Sequence, residues 1–383
     1  MGRSRTVVLF NGFCFASRCY FYLPVFVLWF LAHGLTQLQV MLLLSIYFVT
    51  ATCAEIPSGL FADRYGRKWA LVVGSLAQAA GAACLAGAGA WALLVAGELC
   101  LGLGQAFQTG IKEAFLYDHC KAHGHAEEYQ SRYGESKFFE FAAMSVGAVC
   151  GVPLYGAGGP WPFVATAAIF LAGGGLAALL REPLRGECLG RPHPLREGWR
   201  EVRHGDPALR RRIGYYAWFL SLVLIVTMSL GQPYLRWTGF PLILFGWGYL
   251  FFHLFAMAGT IWARRVTPAM ADRFFLALGG GLAGVLLVLA FWRHPTAFWI
   301  LGLVYFGWGL LLPTISAAIN PLVDSPRRAT ILSIQDFAQS AVFVVIAALA
   351  GYAADRWGIP SALIGLGMAS GMVLLATTRR RKE

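Results

Sequence analysis

An all-α integral membrane protein of twelve transmembrane helices, arranged as two pseudo-symmetric six-helix bundles, is the fold class this sequence predicts. Three observations carry the prediction. The 383 residues are 58% hydrophobic and only 13% charged, with a mean hydropathy of +0.60. A soluble domain of that length needs far more polar surface to cover its core, so the implied solvent is lipid. Apolar runs of about 18 to 25 residues, bounded by charges, Gly and Pro, recur along the whole chain. Finally, the longest polar stretch, REPLRGECLGRPHPLREGWREVRHGDPALRRR at 181–212, divides those runs six and six.

The spans fall near 7–31, 37–61, 68–88, 91–118, 137–157, 161–180, 213–235, 242–263, 274–292, 297–322, 331–354 and 360–378. The formal net charge is +12, which on a soluble module would suggest a nucleic-acid face. Where the charges sit excludes that class. Arg18 and Lys112 lie inside spans, and Arg236, Arg293 and Arg356 follow spans seven, nine and eleven; the other 26 of 31 Lys and Arg lie in the tails and in loops after even-numbered spans. By the positive-inside rule those loops and both termini are expected to be cytoplasmic. The first apolar run is too long for a cleaved signal peptide and lacks a small-residue cleavage site, so it is expected to remain as a helix. The eight cysteines, Cys14, Cys19, Cys53, Cys84, Cys100, Cys120, Cys150 and Cys188, show no CxxC or metal spacing. They read as reduced, small apolar residues.

Span one carries Arg18 about eleven residues in, near the midplane at 1.5 Å per residue. Asn11 and Tyr22 stand at −7 and +4 from it, on one face of a continuous helix that should meet a wet cavity. Span two carries Glu55, about two turns before Asp63. A carboxylate buried there is a candidate to gain and lose a proton. The turn that follows, GLFADRYGRKWAL at 59–71, compresses Asp63, Arg64, Arg67 and Lys68 around Gly66. Such a turn must reverse a helix at the membrane surface, and Gly66 can take the positive φ that a reversal needs.

Gly59, Ala62, Asp63, Arg64, Gly66, Arg67 and Lys68 match the G-x-x-A-D-R-x-G-R-[KR] signature between helices two and three of the major facilitator superfamily, and the chain resembles that superfamily. GQAFQTGIKEAFLYD in span four, EEYQSRYGES after it and RRATILSIQDF before span eleven are similar to a bacterial efflux-type subgroup. The resemblance implies that Gly59, Asp63, Arg64, Gly66, Arg67 and Lys68 form a conformational latch, with the aspartate holding the two halves in the outward-open state near the start of span eleven. A topogenic turn without a gating role is the plainer reading. The resemblance also implies that helices one, four, seven and ten line a central path.

Span four holds the densest polar stripe. Glu98, Gln105, Thr109 and Glu113 keep to one side of the helix, with Gln108 and Lys112 along its flank. A contact between Arg18 and Glu98 is expected across the path. The drug–proton antiporter motif R-x-x-Q-G-x-G is not matched: Glu98 stands where the arginine would be and Leu101 where the glutamine would be. That family's proton relay therefore does not transfer. Glu55, Glu98 and Glu113 remain as proton-coupling candidates, with a structural pair between Glu113 and Lys112 or Lys137 as the alternative. Glu140 and Asp336, early in spans five and eleven, are gate candidates or solvated helix ends.

The linker contains a candidate surface helix near Leu195 to Val202, suited to anionic headgroups or to a solvated tether. It separates a bundle over 1–181 from one over 213–383. The halves echo each other weakly: LGLG at 101–104 against FGWG at 306–309, Gly34 against Gly239, Gly59 against Gly259. The second half is poorer in membrane-embedded polar groups, with Thr227, Ser229, Gln232, His253, Trp308, Asn320, Gln335 and Gln339 as candidates. A lone His253 reads equally as a packing residue. The substrate-path set is thus Asn11, Arg18, Tyr22, Gln105, Thr109, Lys112, His253 and Trp308.

No His-rich metal cluster, G-x-S-x-G elbow or P-loop is found, so neither nucleophilic catalysis nor ATP-driven transport is indicated. The reading is a non-enzymatic, proton-coupled exporter of a small cationic or zwitterionic organic molecule, driven by the proton gradient without a cofactor. It is expected to function as a monomer, with lipids, protons and the substrate as its partners. Uptake, export of a specific metabolite or metal chelator, and a non-transporting membrane sensor are the alternatives.

Overall fold

The computed structural model describes residues 5–87, 89–123, 126–182, 195–266, 270–319, 322–323 and 328–379. Cys188, Asn320 and linker positions 183–194 lie outside the described residues. The other seven cysteines are free thiols.

The helices are α1 (Arg5–Ala16), α2 (Phe26–Ala32), α3 (Gln37–Tyr65), α4 (Arg67–Ala86), α5 (Trp91–Ala106), α6 (Ile111–Ala122), α7 (Tyr129–Gly156), α8 (Trp161–Ala178), α9 (Leu195–His204), α10 (Pro207–Leu224), α11 (Gly231–Trp237), α12 (Phe245–Ala263), α13 (Ala271–Phe291), α14 (Ala297–Ile319), α15 (Arg328–Trp357) and α16 (Ile359–Arg379). Among the described residues, nine helical stretches are long and apolar enough to cross a membrane. Shorter apolar helices stand at Arg5–Ala16, Leu23–Ala32 and Ile359–Leu375, and two of the expected spans are interrupted. Span one is α1 and α2 with a non-helical joint at Ser17–Tyr22, and span four is α5 and α6 joined through Phe107–Gly110, where Gly110 has φ 73°. Span seven runs from α10 to α11 through a π-helical turn at Ile225–Leu230.

The chain divides into two compact units, Met1–Phe26 with Ile46–Arg191, and Val27–Ser45 with Pro192–Glu383. The second unit thus includes α2 and the first turns of α3, which a simple cut at the linker would assign to the first.

In the first unit the joint of span one lies against the face of α7 that carries Gly147 and Gly151. A Cβ at either position would overlap the carbonyl oxygen of Tyr20 or Phe21, so only glycine admits the irregular backbone this closely. The Phe21 N–H donates to Thr166 Oγ1 of α8 at 3.0 Å. Irregular backbone at membrane depth survives only where protein satisfies it in this way.

In the second unit the N-terminus of α3 is fully capped. Thr36 and Gln39 form a reciprocal capping box, with Gln39 N donating to Thr36 Oγ1 at 3.2 Å and Thr36 N donating to Gln39 Oε1 at 2.9 Å. The two N–H groups between them, on Gln37 and Leu38, donate to Asp355 Oδ1 and Oδ2 of α15 at 2.8 and 2.9 Å. Gln37 Nε2 donates to Ser229 Oγ in the π turn at 2.8 Å. Gln232 Oε1 accepts from Val27 N at 2.9 Å, and Gln232 Nε2 donates to Tyr249 at 3.0 Å. The linker helix α9 buries Val202 and sets Trp199 edge-on to Phe337 of α15. Helix α10 starts at Pro207 because Asp206 caps it, accepting from Ala208 N at 2.7 Å.

Candidate functional site in the first unit

The polar side chains of spans one and four meet where both helices break. Arg18, half-buried in the joint of span one, donates from Nη1 to Gln105 Oε1 at 3.3 Å. Gln105 is held from its other end, because its Nε2 donates to Thr109 Oγ1 at 3.0 Å. Thr109 and Gly110 are exposed, so this corner is open. Beside it runs a second chain of amides: Gln108 Nε2 donates to Gln78 Oε1 at 2.6 Å, and Gln78 Nε2 donates to the Tyr20 hydroxyl at 3.1 Å.

One turn further along α6 stands a ring of four charges. Lys112 Nζ is 2.5 Å from Glu140 Oε1; Lys137 Nζ is 3.0 Å from Glu140 Oε2 and 3.3 Å from Glu113 Oε1. Glu113 Oε2 is buried with no hydrogen-bond partner. The ring borders a cavity of about 10 Å³, room for one water at most, lined also by Cys14 and Ser136. Lys112 and Glu140 are buried, and removing one member of such a pair strands the other charge at a cost of roughly 3–5 kcal/mol. Loss of activity in a variant of either would therefore report folding as much as mechanism.

Three expectations are corrected by this geometry. Arg18 does not meet Glu98. It meets Gln105, while Glu98, two turns earlier on α5, is buried with Oε1 unpartnered. Asn11 and Tyr22 do not share a helical face with Arg18, because α1 ends at Ala16. Tyr22 is instead packed flat on Phe163, with ring centroids 4.9 Å apart, and is buried, as is Asn11. Nor is Glu140 a solvated helix end. Of the two lysines weighed for Glu113, Lys137 is the one within reach.

The other candidates lie elsewhere. Glu55 is half-buried on α3 between the exposed side chain of Ile56 and the buried Ala54. Asp336 accepts from the Tyr216 hydroxyl at 2.9 Å. In the second unit, His253 is half-buried on α12, and Trp308 of α14 meets Tyr305 at 6.2 Å. At the 59–68 turn, Gly66 has φ 108° and Glu182 accepts from the N–H groups of Arg67 and Lys68, both at 2.8 Å. Arg67 pairs with Asp118 and donates to the Ala114 carbonyl, and Arg64 lies over the Tyr65 ring. Gly59 faces open space, and Asp63 is exposed without an ion pair among the described residues.

Sequence reasoning missed Tyr20, Gln78, Asp118, Thr166, Glu182 and Asp355. Asp355 had a signal, since ADRWG at 354–358 repeats ADRYG at 62–66. Glu182 had a weaker one, as the first acid after an 18-residue apolar helix.

Comparison with known proteins follows the same lines. The pattern of the Major Facilitator Superfamily matches residues 8–324. The fold is similar to that of the nucleoside transporter NupG, with a TM-score of 0.78 at 11% identity over 99% of this chain and 100% of that one. A point mutant of NupG gives 0.79 at 10% identity, covering 98% and 99% of the two chains. A POT family transporter in complex with a thioalcohol-conjugated peptide gives 0.69 at 13% identity over 97% and 94%. No curated protein matches the chain in sequence.

Proposed function

The chain belongs to the major facilitator superfamily, and from that premise we propose that it is a proton-coupled secondary transporter. It exports a small, drug-like cationic or zwitterionic molecule by alternating access, with two six-helix halves rocking about a site near the midplane. The observation that carries the reading is the charge ring of Lys112, Glu113, Lys137 and Glu140 beside two broken spans. Ionisable groups inside apolar spans are costly and mark ion and substrate paths. Discontinuous helices at the same depth are where transporters of this kind build their sites.

Glu113 is the carboxylate we assign to coupling. It makes one contact to Lys137, whereas Glu140 makes two, one to each lysine. A proton on Glu113 would release Lys137 to Glu140 alone and change the charge presented beside Gln105 and Thr109. The proton gradient supplies the energy, with no cofactor. Glu55 and Glu98 are the competing carboxylates. Export as the direction rests on the resemblance of span four to efflux proteins. Cytoplasmic termini rest on the distribution of Lys and Arg, a bacterial inner membrane rests on the resemblance to bacterial efflux proteins, and a monomer is part of the same proposal.

Asp63, exposed and without an ion pair among the described residues, is the residue we assign as the movable part of a latch. Glu182 and Asp118 fix the rest of that turn. Glu140 and Asp336 serve as gates if their contacts to Lys112 and Tyr216 break during the cycle.

The test uses ciprofloxacin, a fluorescent zwitterion, in proteoliposomes with an imposed pH gradient. Glu113→Gln should reduce gradient-driven flux to the leak rate while the melting temperature stays near that of the parent. Undiminished flux in Glu113→Gln would reassign coupling; Glu55→Gln and Glu98→Gln then identify which acid carries it. Undiminished flux in all three would sink the proton-coupled reading.

A further inference from the structure

We propose that Arg18 anchors an oxyanion, a carboxylate or a phosphate, on the transported molecule. The inference deepens the transporter reading and rests on it. A guanidinium has five donors arranged as a planar fork. Nη1 of Arg18 donates to the amide oxygen of Gln105 at 3.3 Å. Among the described residues no carboxylate lies within ion-pair distance of Arg18. The four neighbouring charges balance among themselves, two lysines against two glutamates, each in contact with an opposite charge. Arg18 is therefore one positive charge in excess, inside a membrane span.

An unpaired cation there is expensive, and the surroundings are arranged to keep it unpaired. The joint at Ser17–Tyr22 holds Arg18 on an irregular backbone locked by Gly147, Gly151 and Thr166, so it cannot swing freely to another acid. Gln105 turns its oxygen to Arg18 because Thr109 occupies its amide nitrogen. The side chain remains half-buried, and its neighbour Thr109 is exposed, which leaves donors of the fork accessible from the open corner. A planar oxyanion can take two parallel N–H bonds from such a fork. Glu98 stands two turns earlier than Gln105, ~10 Å along α5, with Oε1 unpartnered. A molecule bearing an ammonium as well as an oxyanion would thus find a second contact, whereas a purely cationic one would meet Arg18 as repulsion.

Four probes that share one ring system separate these chemistries: 2-naphthoate, 2-naphthyl phosphate, neutral 2-naphthamide and cationic 2-naphthylmethylammonium. Their affinities for the detergent-purified full chain are measured by equilibrium dialysis. At least one oxyanion probe should bind about tenfold tighter than the amide, as a charge-assisted fork contact requires. Arg18→Gln should erase that difference. Arg18→Lys keeps the charge without the fork, and should retain part of the preference if Arg18→Gln proves poorly folded by melting temperature. Equal binding of oxyanion and amide by the parent, no binding of either oxyanion, or an unaltered preference in Arg18→Gln and Arg18→Lys overturns the proposal. Flux of the same probes in proteoliposomes keeps the two readings apart. Oxyanion-selective binding without flux sinks transport and leaves the anchor standing; flux of the cationic probe with no oxyanion preference does the reverse.

Discussion

The pentapeptides ADRYG at 62–66 and ADRWG at 354–358 differ in one residue, yet their aspartates do different things. Both end in a glycine of positive φ, 108° at Gly66 and 85° at Gly358, and at both a new helix begins at the next residue, α4 and α16. In the later copy Asp355 reaches across to α3 and accepts two of its first N–H groups. In the earlier copy Asp63 is exposed, and the first N–H groups of α4 are taken by Glu182, 115 positions further along the chain. The glycine thus supplies a one-residue reversal in both places. The aspartate caps a helix start in one copy, and in the other it is exposed with no ion pair among the described residues. The latch role we propose for Asp63 uses that difference.

Substitutions can break this comparison. The largest effect is expected from Gly66→Ala. Its backbone, with φ 108° and ψ 149°, lies in a region open essentially to glycine alone, and a Cβ would sit 3.0 Å from the Glu182 carboxylate. Strain and a displaced cap together should cost about 3 kcal/mol, read as a fall in melting temperature in detergent. Gly358→Ala carries backbone strain alone, since its Cβ would meet only Pro360 at 3.7 Å, and should cost roughly 1–2 kcal/mol. Equal losses at the two glycines would show that Glu182 contributes nothing to the first turn.

Asp355→Ala leaves the N–H groups of Gln37 and Leu38 without their acceptor, a loss of about 1–2 kcal/mol. Asp63→Ala should change the melting temperature least, by less than ~0.5 kcal/mol, because Asp63 is exposed and has no ion pair among the described residues. Its effect belongs to the conformational equilibrium instead. Single-cysteine labelling in membranes should show altered accessibility in Asp63→Asn, and an unchanged pattern would leave the turn purely structural.

Much of the architecture was legible because it follows from composition and period. Apolar runs set where helices lie, although α10 starts at Pro207, six residues before the expected span seven, because Asp206 caps it. The breaks in spans one and four were not legible. Neither joint, at Ser17–Tyr22 or at Phe107–Gly110, contains a proline; Pro24 follows the first and Gly110 closes the second, and neither residue alone dictates a break. What opens span one is tertiary: two glycines on α7 and a threonine on α8. Extending a straight helix through Ala16 is what misplaced Tyr22 and brought Arg18 to Glu98 in expectation. Residue type was the better guide, since every charge in the ring at Lys112, Glu113, Lys137 and Glu140 stood out in the sequence. Only their partners needed the fold.

The broken first span bears on how the chain is made. With 12 and 7 residues, α1 and α2 are each too short to cross a bilayer as a continuous helix. The backbone N–H groups of Phe21, between them, and of Val27, in the first turn of α2, find their partners in Thr166 and Gln232, 145 and 205 positions later. At five to twenty residues per second, the rate of synthesis leaves that backbone incomplete for about ten seconds or more. Span one is thus completed only once spans six and seven have been made, and a nascent chain halted before span six would hold the Phe21 N–H without its Thr166 acceptor.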